Sequence, residues 1–245
     1  MKKIFAVCTV VGSCCLLNQA FAEPADYVHT PDVTYGEREI DFKMGSLKQP
    51  NTDRESAASI GFGYGVTQNW FTELYMKYKR ENGEGTAFDA YEWENKFQLT
   101  DPGKYPIDTG FLLEIERPKD HSEGYEVTFG PLFQTEFGRV QVNTNLLFKR
   151  NYQADFSNAL QLGYQWQVKY RWLQQFEYGL QGFGEVGRWD KWDARDQQSH
   201  RYGPAIFGKI PVGTRKALNY NMAYLIDDSS VTRSNTFRLQ VEYEF

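Results

Sequence analysis

Beyond residue 22 the chain has no cysteine, because Cys8, Cys14 and Cys15 all fall in its opening stretch. That excludes a disulfide framework, a thiolate metal site and a cysteine nucleophile from everything downstream. Histidine is almost as scarce: His29, His121 and His200 are dispersed. Local sequence therefore supplies no compact set of nitrogen or sulfur ligands, and neither a metal nor a cofactor is expected. Past residue 22 there is also no apolar run approaching the roughly 20 residues of a membrane-spanning helix. Positive charge is in deficit. Of 27 Lys and Arg, Lys2 and Lys3 lie in the opening stretch, so 25 face 32 Asp and Glu for a net charge of −7. An acidic chain of this kind is not expected to have a nucleic-acid partner.

The opening stretch itself is informative. Lys2 and Lys3 precede an uncharged, mostly apolar run from Ile4 to Leu17, and Ala20-Phe21-Ala22 supplies a small-x-small cleavage pattern. The run is too short for a spanning helix and is broken by Ser13 and Asn18. Val11-Gly12-Ser13-Cys14 resembles a lipobox only loosely and would leave an unusually short leader. Residues 1–22 thus read as a signal peptide, with Glu23 as the mature N-terminus. Residues 23–35 read as an N-terminal segment on the periplasmic side, and residues 36–245 as the folded unit.

What the chain has in abundance is aromatic residues, 16% of the total, and alternation at period two. Phe237, Leu239, Val241, Tyr243 and Phe245 share one face of a strand, while Thr236, Arg238, Gln240, Glu242 and Glu244 share the other. Similar segments are predicted at 36–45, 54–65, 69–80, 88–99, 107–117, 124–134, 139–150, 157–168, 175–186, 201–211 and 216–226, with 235–245 the twelfth. A strand of about ten residues at a tilt near 40° spans about 25 Å, the height of the apolar band of an outer-membrane barrel. Compact turns at 65–69, 100–103, 135–138 and 212–215 alternate with more hydrophilic connections at 81–86, 117–124, 150–158, 187–200 and 227–234. Short turns suit the periplasmic end and long loops the outside, so both termini are expected on the periplasmic side.

The mean hydropathy of −0.61 fits such a barrel, because only alternate residues face lipid. A soluble barrel with an apolar interior is the competing reading. Around twelve strands would enclose more space than one face of side chains fills. Aromatic residues also gather near strand ends, with Trp70, Tyr105, Trp166, Tyr170, Trp172 and Phe245 toward one rim. Tyr78, Tyr125, Tyr152, Trp189, Trp192 and Tyr202 lie toward the other. Two aromatic girdles suit two lipid–water interfaces. The expected fold class is all-β: a closed antiparallel transmembrane barrel of about twelve strands.

On that arrangement the lumen is lined by the acids Glu39, Asp41, Glu73, Glu92, Glu94, Glu114, Glu116, Glu126 and Glu242, with the bases Lys43, Lys77, Lys96, Lys149, Lys209 and Arg238. Glu92, Glu94, Glu114 and Glu116, on two neighbouring strands, form a negative wall unless Lys77 and Lys96 neutralise it. Such a lumen favours cations or neutral solutes if it is open. The same charges can instead pair across a small barrel and plug it. Gly61-x-Gly63-x-Gly65 lies inside a strand with no helix after it, so it reads as a close-approach or lumen-side kink and not as a phosphate loop.

The leader, the terminal strand Arg238-Leu-Gln-Val-Glu-Tyr-Glu-Phe245 and the Tyr64-Gly65-Val66-Thr67-Gln68-Asn69-Trp70 turn together resemble proteobacterial outer-membrane barrel proteins, and the Glu94-Asn95-Lys96-Phe97-Gln98-Leu99-Thr100-Asp101-Pro102-Gly103 stretch looks like one found in uncharacterised, porin-like members of the class. The resemblance implies export to the periplasm and residence in the outer membrane of a Gram-negative bacterium, among its lipid and lipopolysaccharide. It also implies recognition of the terminal strand, through Phe237, Leu239, Val241, Tyr243 and Phe245, by the barrel-assembly machinery. Small anion-selective porins for acidic sugars are similar in size, but their lumens are basic. Barrel phospholipases, lipid A deacylases and omptin-type proteases need His-Ser or acid-His constellations. His200 beside Asp193 and Asp196 is the nearest approach, and it reads as a polar loop. The functional expectation is a channel for small polar or cationic solutes, or else a closed barrel that displays loops to a partner; an enzyme is not expected.

Deleting Phe245 is expected to reduce outer-membrane insertion more than a conservative substitution within 227–234. Heat-modifiable gel mobility of the two variants in cell envelopes checks this, and equal folding of both would remove the assembly role from the terminal aromatic.

Overall fold

The computed structural model describes residues 23–50, 54–80, 85–227 and 234–245. The expected signal peptide at 1–22, most of the connection at 81–86 and most of that at 227–234 lie outside the described residues.

Twelve long strands form the fold: β1 (Arg38–Lys48), β2 (Arg54–Gly65), β3 (Trp70–Arg80), β4 (Ala87–Gln98), β5 (Asp108–Pro118), β6 (Tyr125–Phe137), β7 (Val140–Tyr152), β8 (Gln161–Leu173), β9 (Phe176–Arg188), β11 (Ser199–Gly213), β12 (Lys216–Asp227) and β13 (Asn235–Glu244). A two-residue strand, β10 (Lys191–Trp192), folds back on the end of β9. Each long strand pairs antiparallel with its neighbour in sequence, and β1 pairs with β13 in register from Glu39↔Glu244 to Lys48↔Asn235, which closes the sheet. Closure leaves no open edge, so the strand backbone finds its hydrogen bonds within the sheet, as a hydrocarbon surrounding requires.

The twelve strands match those expected from periodicity, with one sizeable shift. β8 ends at Leu173 and not near residue 168, because β8 and β9 are joined by the tight Gln174-Gln175 turn, which contains neither Gly nor Pro. Trp166, expected near a rim, is therefore mid-strand, where its ring lies over Gly182 of β9, its cross-strand partner. Other tight turns pass through left-handed backbone: Gly138, which takes it freely, at φ 62° between β6 and β7, and Arg215, for which it is disfavoured, at φ 58° between β11 and β12. These turns share one end of the barrel with Arg38 and with Phe245, whose N–H donates to the Arg38 carbonyl at 2.8 Å. That end is called the turn end below, and the opposite one the loop end.

Burial decides which face is outside. In β1, Glu39, Asp41 and Lys43 are buried while Ile40 and Phe42 are about 40% exposed, and in β3 Glu73 is buried while Leu74 is 64% exposed. The charged face points in and the apolar face out, the inverse of a soluble barrel and the pattern of a transmembrane one. Tyr78, Tyr125, Tyr152, Trp189, Trp192 and Tyr202 are exposed at the loop end, and Tyr105, Trp172 and Phe245 at the turn end. Phe237 and Phe245 of the terminal strand are also outward and exposed, with Phe245 stacked on Tyr243 at 5.6 Å.

Replacing Leu74 with Arg puts a charge on the outward face in mid-strand and should cost about 2–4 kcal/mol of barrel stability. Denaturant unfolding of the barrel in lipid vesicles measures it. A cost near zero would mean that this face does not meet hydrocarbon.

Candidate functional site

The barrel interior is occupied by the chain's own residues 23–37. They were expected to precede the barrel on the periplasmic side; instead they run along its inside, from the loop half down to the turn end. The Glu23 carboxylate meets Lys77 at 2.9 Å, and Pro24 lies against Gly45, both near the loop ends of their strands. At mid-height the Tyr27 hydroxyl donates to Glu94 at 2.7 Å, and Asn145 donates to the His29 carbonyl at 3.0 Å. Lower down the Val33 N–H donates to Gln98 at 2.9 Å, and Gln134 donates to Asp32 at 3.1 Å. The segment then reverses into β1 through a turn in which Gly36, at φ 77°, donates to the Gly65 carbonyl at 2.8 Å.

Side-chain size on the inner wall explains why the segment fits. Gly45, Gly65 and Gly110 leave space for Pro24, Thr34 and Pro31, and a Cβ at Gly45 or Gly65 would overlap the segment's backbone. Gly61 and Gly63 make room for the inward rings of Tyr75 and Phe71, which gives the alternating glycines of β2 a steric role. Opposite, the buried Phe183, Ala205, Phe207, Ala223 and Leu225 form an apolar patch covered by Val28. Apolar side chains facing a lumen are costly in water, and the contact removes that cost.

All fifteen lumen candidates stand on inward faces, in layers. In the loop half, Lys77 joins Glu92 at 3.1 Å, Glu116 through a short contact and Glu23, while Lys149 joins Glu126 at 2.9 Å. At mid-height Lys43 lies 3.5 Å from Asp41 and 3.6 Å from the centres of both the Tyr27 and Tyr75 rings, among Glu73, Glu94 and Glu114. Two aromatic faces on one desolvated ammonium are worth about 2 kcal/mol or more. Glu39, Lys96, Lys209 and Glu242 are in the turn half. Arg238 is 2% exposed, its guanidinium 4.7 Å from the Phe183 ring. The negative wall expected on β4 and β5 is therefore divided: Lys77 compensates Glu92 and Glu116, whereas Lys96 instead sits 5.1 Å from the Phe71 ring. The opposite wall carries an amide ladder in which Gln181 donates to Gln167 at 2.6 Å and Asn143 to Gln134 at 2.8 Å.

Beside the segment lies a cavity of about 720 Å³, lined in part by Tyr27, His29, Asp32 and Thr34 and reaching the turn end at Trp172 and Leu173. Its lining includes nine carboxylates against four Lys and Arg, among them Glu39, Glu73, Glu177, Glu242 and Glu244. Lys169 pairs with Glu177 at 3.1 Å, and Lys209 pairs with Glu244. His200 is held by neutral partners: its Nδ1 is 2.7 Å from the Tyr164 hydroxyl and its Nε2 2.9 Å from Gln198. Sequence reading missed the contribution of residues 23–34, since nothing in their order marks them as a lumen strap.

Fold and lumen together define a transmembrane β-barrel that carries an internal N-terminal strap. No family model matches the chain, and no curated protein matches it. Among solved structures, the KdgM porin is similar in fold, with a TM-score of 0.56 at 8% identity over 84% of this chain and 99% of that one. The translocator domain of the autotransporter NalP from Neisseria meningitidis follows at 0.48 and 13%, covering 86% of this chain and 89% of that one. The CymD monoaromatic hydrocarbon channel gives 0.45 and 7%, with 86% and 88% covered. At 8% identity the likeness to the KdgM porin is one of fold.

Replacing Gly45 with Val should dislodge residues 24–34 from the wall without breaking the barrel. Amide exchange at His29 and Val33, whose N–H groups donate to Gln165 and Gln98, is then expected to quicken at least about tenfold. Unchanged protection in a folded variant would show that the strap is not seated on β1.

Proposed function

We propose that this protein is an outer-membrane channel for small polar or cationic solutes, with its turn end in the periplasm and its lumen closed in the resting state by residues 23–34. The observation that carries this reading is the acid-rich cavity that reaches the turn end and is lined in part by the strap, from Tyr27 to Glu37. A purely structural barrel has no need of a wide, charged vestibule. The strap, moreover, is held by side-chain contacts and isolated hydrogen bonds and not by a strand ladder, so it can leave without unpairing the sheet. Carboxylates in excess of bases in a low-dielectric wall focus a negative potential that attracts cations and repels anions.

The outer-membrane location is supported by the outward apolar face and the closed twelve-strand topology. Export through residues 1–22 and insertion by the barrel-assembly machinery complete the reading. One observation favours a closed, loop-displaying barrel: the strap already threads the lumen, while Trp189 and Trp192, 53% and 62% exposed, project from a loop braced by β10. Conductance decides between the two.

In planar bilayers the parent should conduct weakly, and a variant lacking residues 24–34 should conduct several-fold more, with a reversal potential favouring cations in a salt gradient. Replacing Glu39 and Glu242 by Gln in that variant should reduce the cation preference at 0.1 M salt. The difference should fade at 1 M, where the screening length falls to about 3 Å. A deletion variant that inserts but stays silent would establish the closed barrel instead.

A further inference from the structure

The strap places one of the chain's three histidines between two carboxylates of the wall. His29 Nδ1 is 3.7 Å from Glu94 Oε1, and its Nε2 is 3.4 Å from Glu114 Oε1. Glu94 and Glu114 are cross-strand partners on β4 and β5, so they project side by side. One ligand atom from each of the three residues lies within 4.8 Å of the others. The geometry points to a divalent transition-metal site, zinc by the chemistry of its donors, which latches the strap to the barrel wall.

Three observations carry this. The first is spacing. With metal–ligand bonds of about 2.0–2.2 Å, tetrahedral coordination sets ligand atoms roughly 3.4 Å apart. The two histidine contacts run from opposite ring nitrogens, Nδ1 to Glu94 and Nε2 to Glu114, so an ion is taken by one nitrogen, and rotation of the imidazole and of the further carboxylate closes a set whose three ligand atoms already lie within 4.8 Å of one another.

The second is burial with an unused donor. His29 is 4% exposed, and its Nδ1 makes no hydrogen bond, while Glu94 is 2% exposed. A buried imidazole nitrogen without a hydrogen bond is costly, and this one faces the Glu94 carboxylate 3.7 Å away. One Glu94 oxygen accepts from Tyr27, which fixes the carboxylate and leaves the other oxygen directed at His29. A ligand held by a second hydrogen bond of this kind is typical of protein metal sites.

The third is charge. Asp41, Glu73, Glu94 and Glu114 share the mid-height layer with Lys43, with Lys96 near Glu94 and Arg238 near Asp41, while Lys77 already serves Glu23, Glu92 and Glu116. Buried carboxylates without matching positive charge are unfavourable, and a doubly charged ion offsets most of the excess in this layer. Nitrogen ligation selects zinc, cobalt or nickel over magnesium and calcium, which prefer all-oxygen shells. Three protein ligands leave a fourth position for water. Local sequence offered no such set, because residues 29, 94 and 114 converge only when the strap threads the barrel.

The site stands whether or not the barrel conducts, so its test is a binding measurement on the chelator-stripped, refolded mature barrel. One equivalent of zinc is expected to bind saturably, with calcium and magnesium failing to compete. His29→Ala and Glu114→Gln should each weaken zinc binding at least about tenfold, with folding checked by heat-modifiable gel mobility. Asp190→Asn, in an exposed loop, should leave it unchanged. Cobalt in place of zinc should show absorption bands of a nitrogen-containing site. Those bands should persist when His121 and His200 are both replaced by Gln, since His29 is then the only imidazole. Absence of saturable zinc binding by the parent overturns the proposal. So does equal affinity in a folded His29→Ala barrel, or loss of the cobalt bands on removing His121 and His200.

Discussion

The rest of this structure depends on closure of a twelve-strand sheet by the pairing of β1 with β13. A strand in hydrocarbon has no water to satisfy its backbone, so pairing must be complete and an open edge is not tolerated. Closure then forces alternate residues into two environments. Ile40, Phe42 and Leu74 meet the outside, and Glu39, Asp41 and Glu73 are committed to the interior. The abundance of charge, the modest hydropathy and the surplus of aromatic residues follow from that single division.

A closed sheet of this size creates a second requirement, because the inward set cannot fill the enclosed space. The chain answers with its own residues 23–37. Glycines at 45, 65 and 110 give them room, the apolar patch around Phe183 and Phe207 receives Val28, and lysines compensate groups of carboxylates at two levels. Tyr27 serves several neighbours at once, since its hydroxyl donates to Glu94 and its ring lies on Lys43. From this point an acidic cavity reaches the turn end, and toward the loop end Lys77 and Lys149 pair with Glu23, Glu92, Glu116 and Glu126.

Strand number, strand position and the identity of the inward face were legible because side-chain alternation is a local property, written in residues two apart. Where local signals fail, so does the reading. The end of β8 was misplaced by several residues because its turn, Gln174-Gln175, lacks the Gly or Pro that marks other turns, and Trp166 was moved toward a rim in consequence. All fifteen charged positions assigned to the lumen are inward, but their pairings were only partly foreseen. Lys77 does meet Glu92 and Glu116, whereas Lys96 packs against Phe71.

By itself, then, the sequence determined a closed antiparallel barrel with a polar, acid-rich inner face, because period-two patterning and strand length are set residue by residue. Only the tertiary structure decided what occupies that barrel. Tyr27 reaches Glu94 across 67 residues of chain and His29 reaches Gln165 across 136, separations at which no local pattern operates. The strap's course is set by the shape and charge of a cavity that does not exist until twelve strands have closed around it.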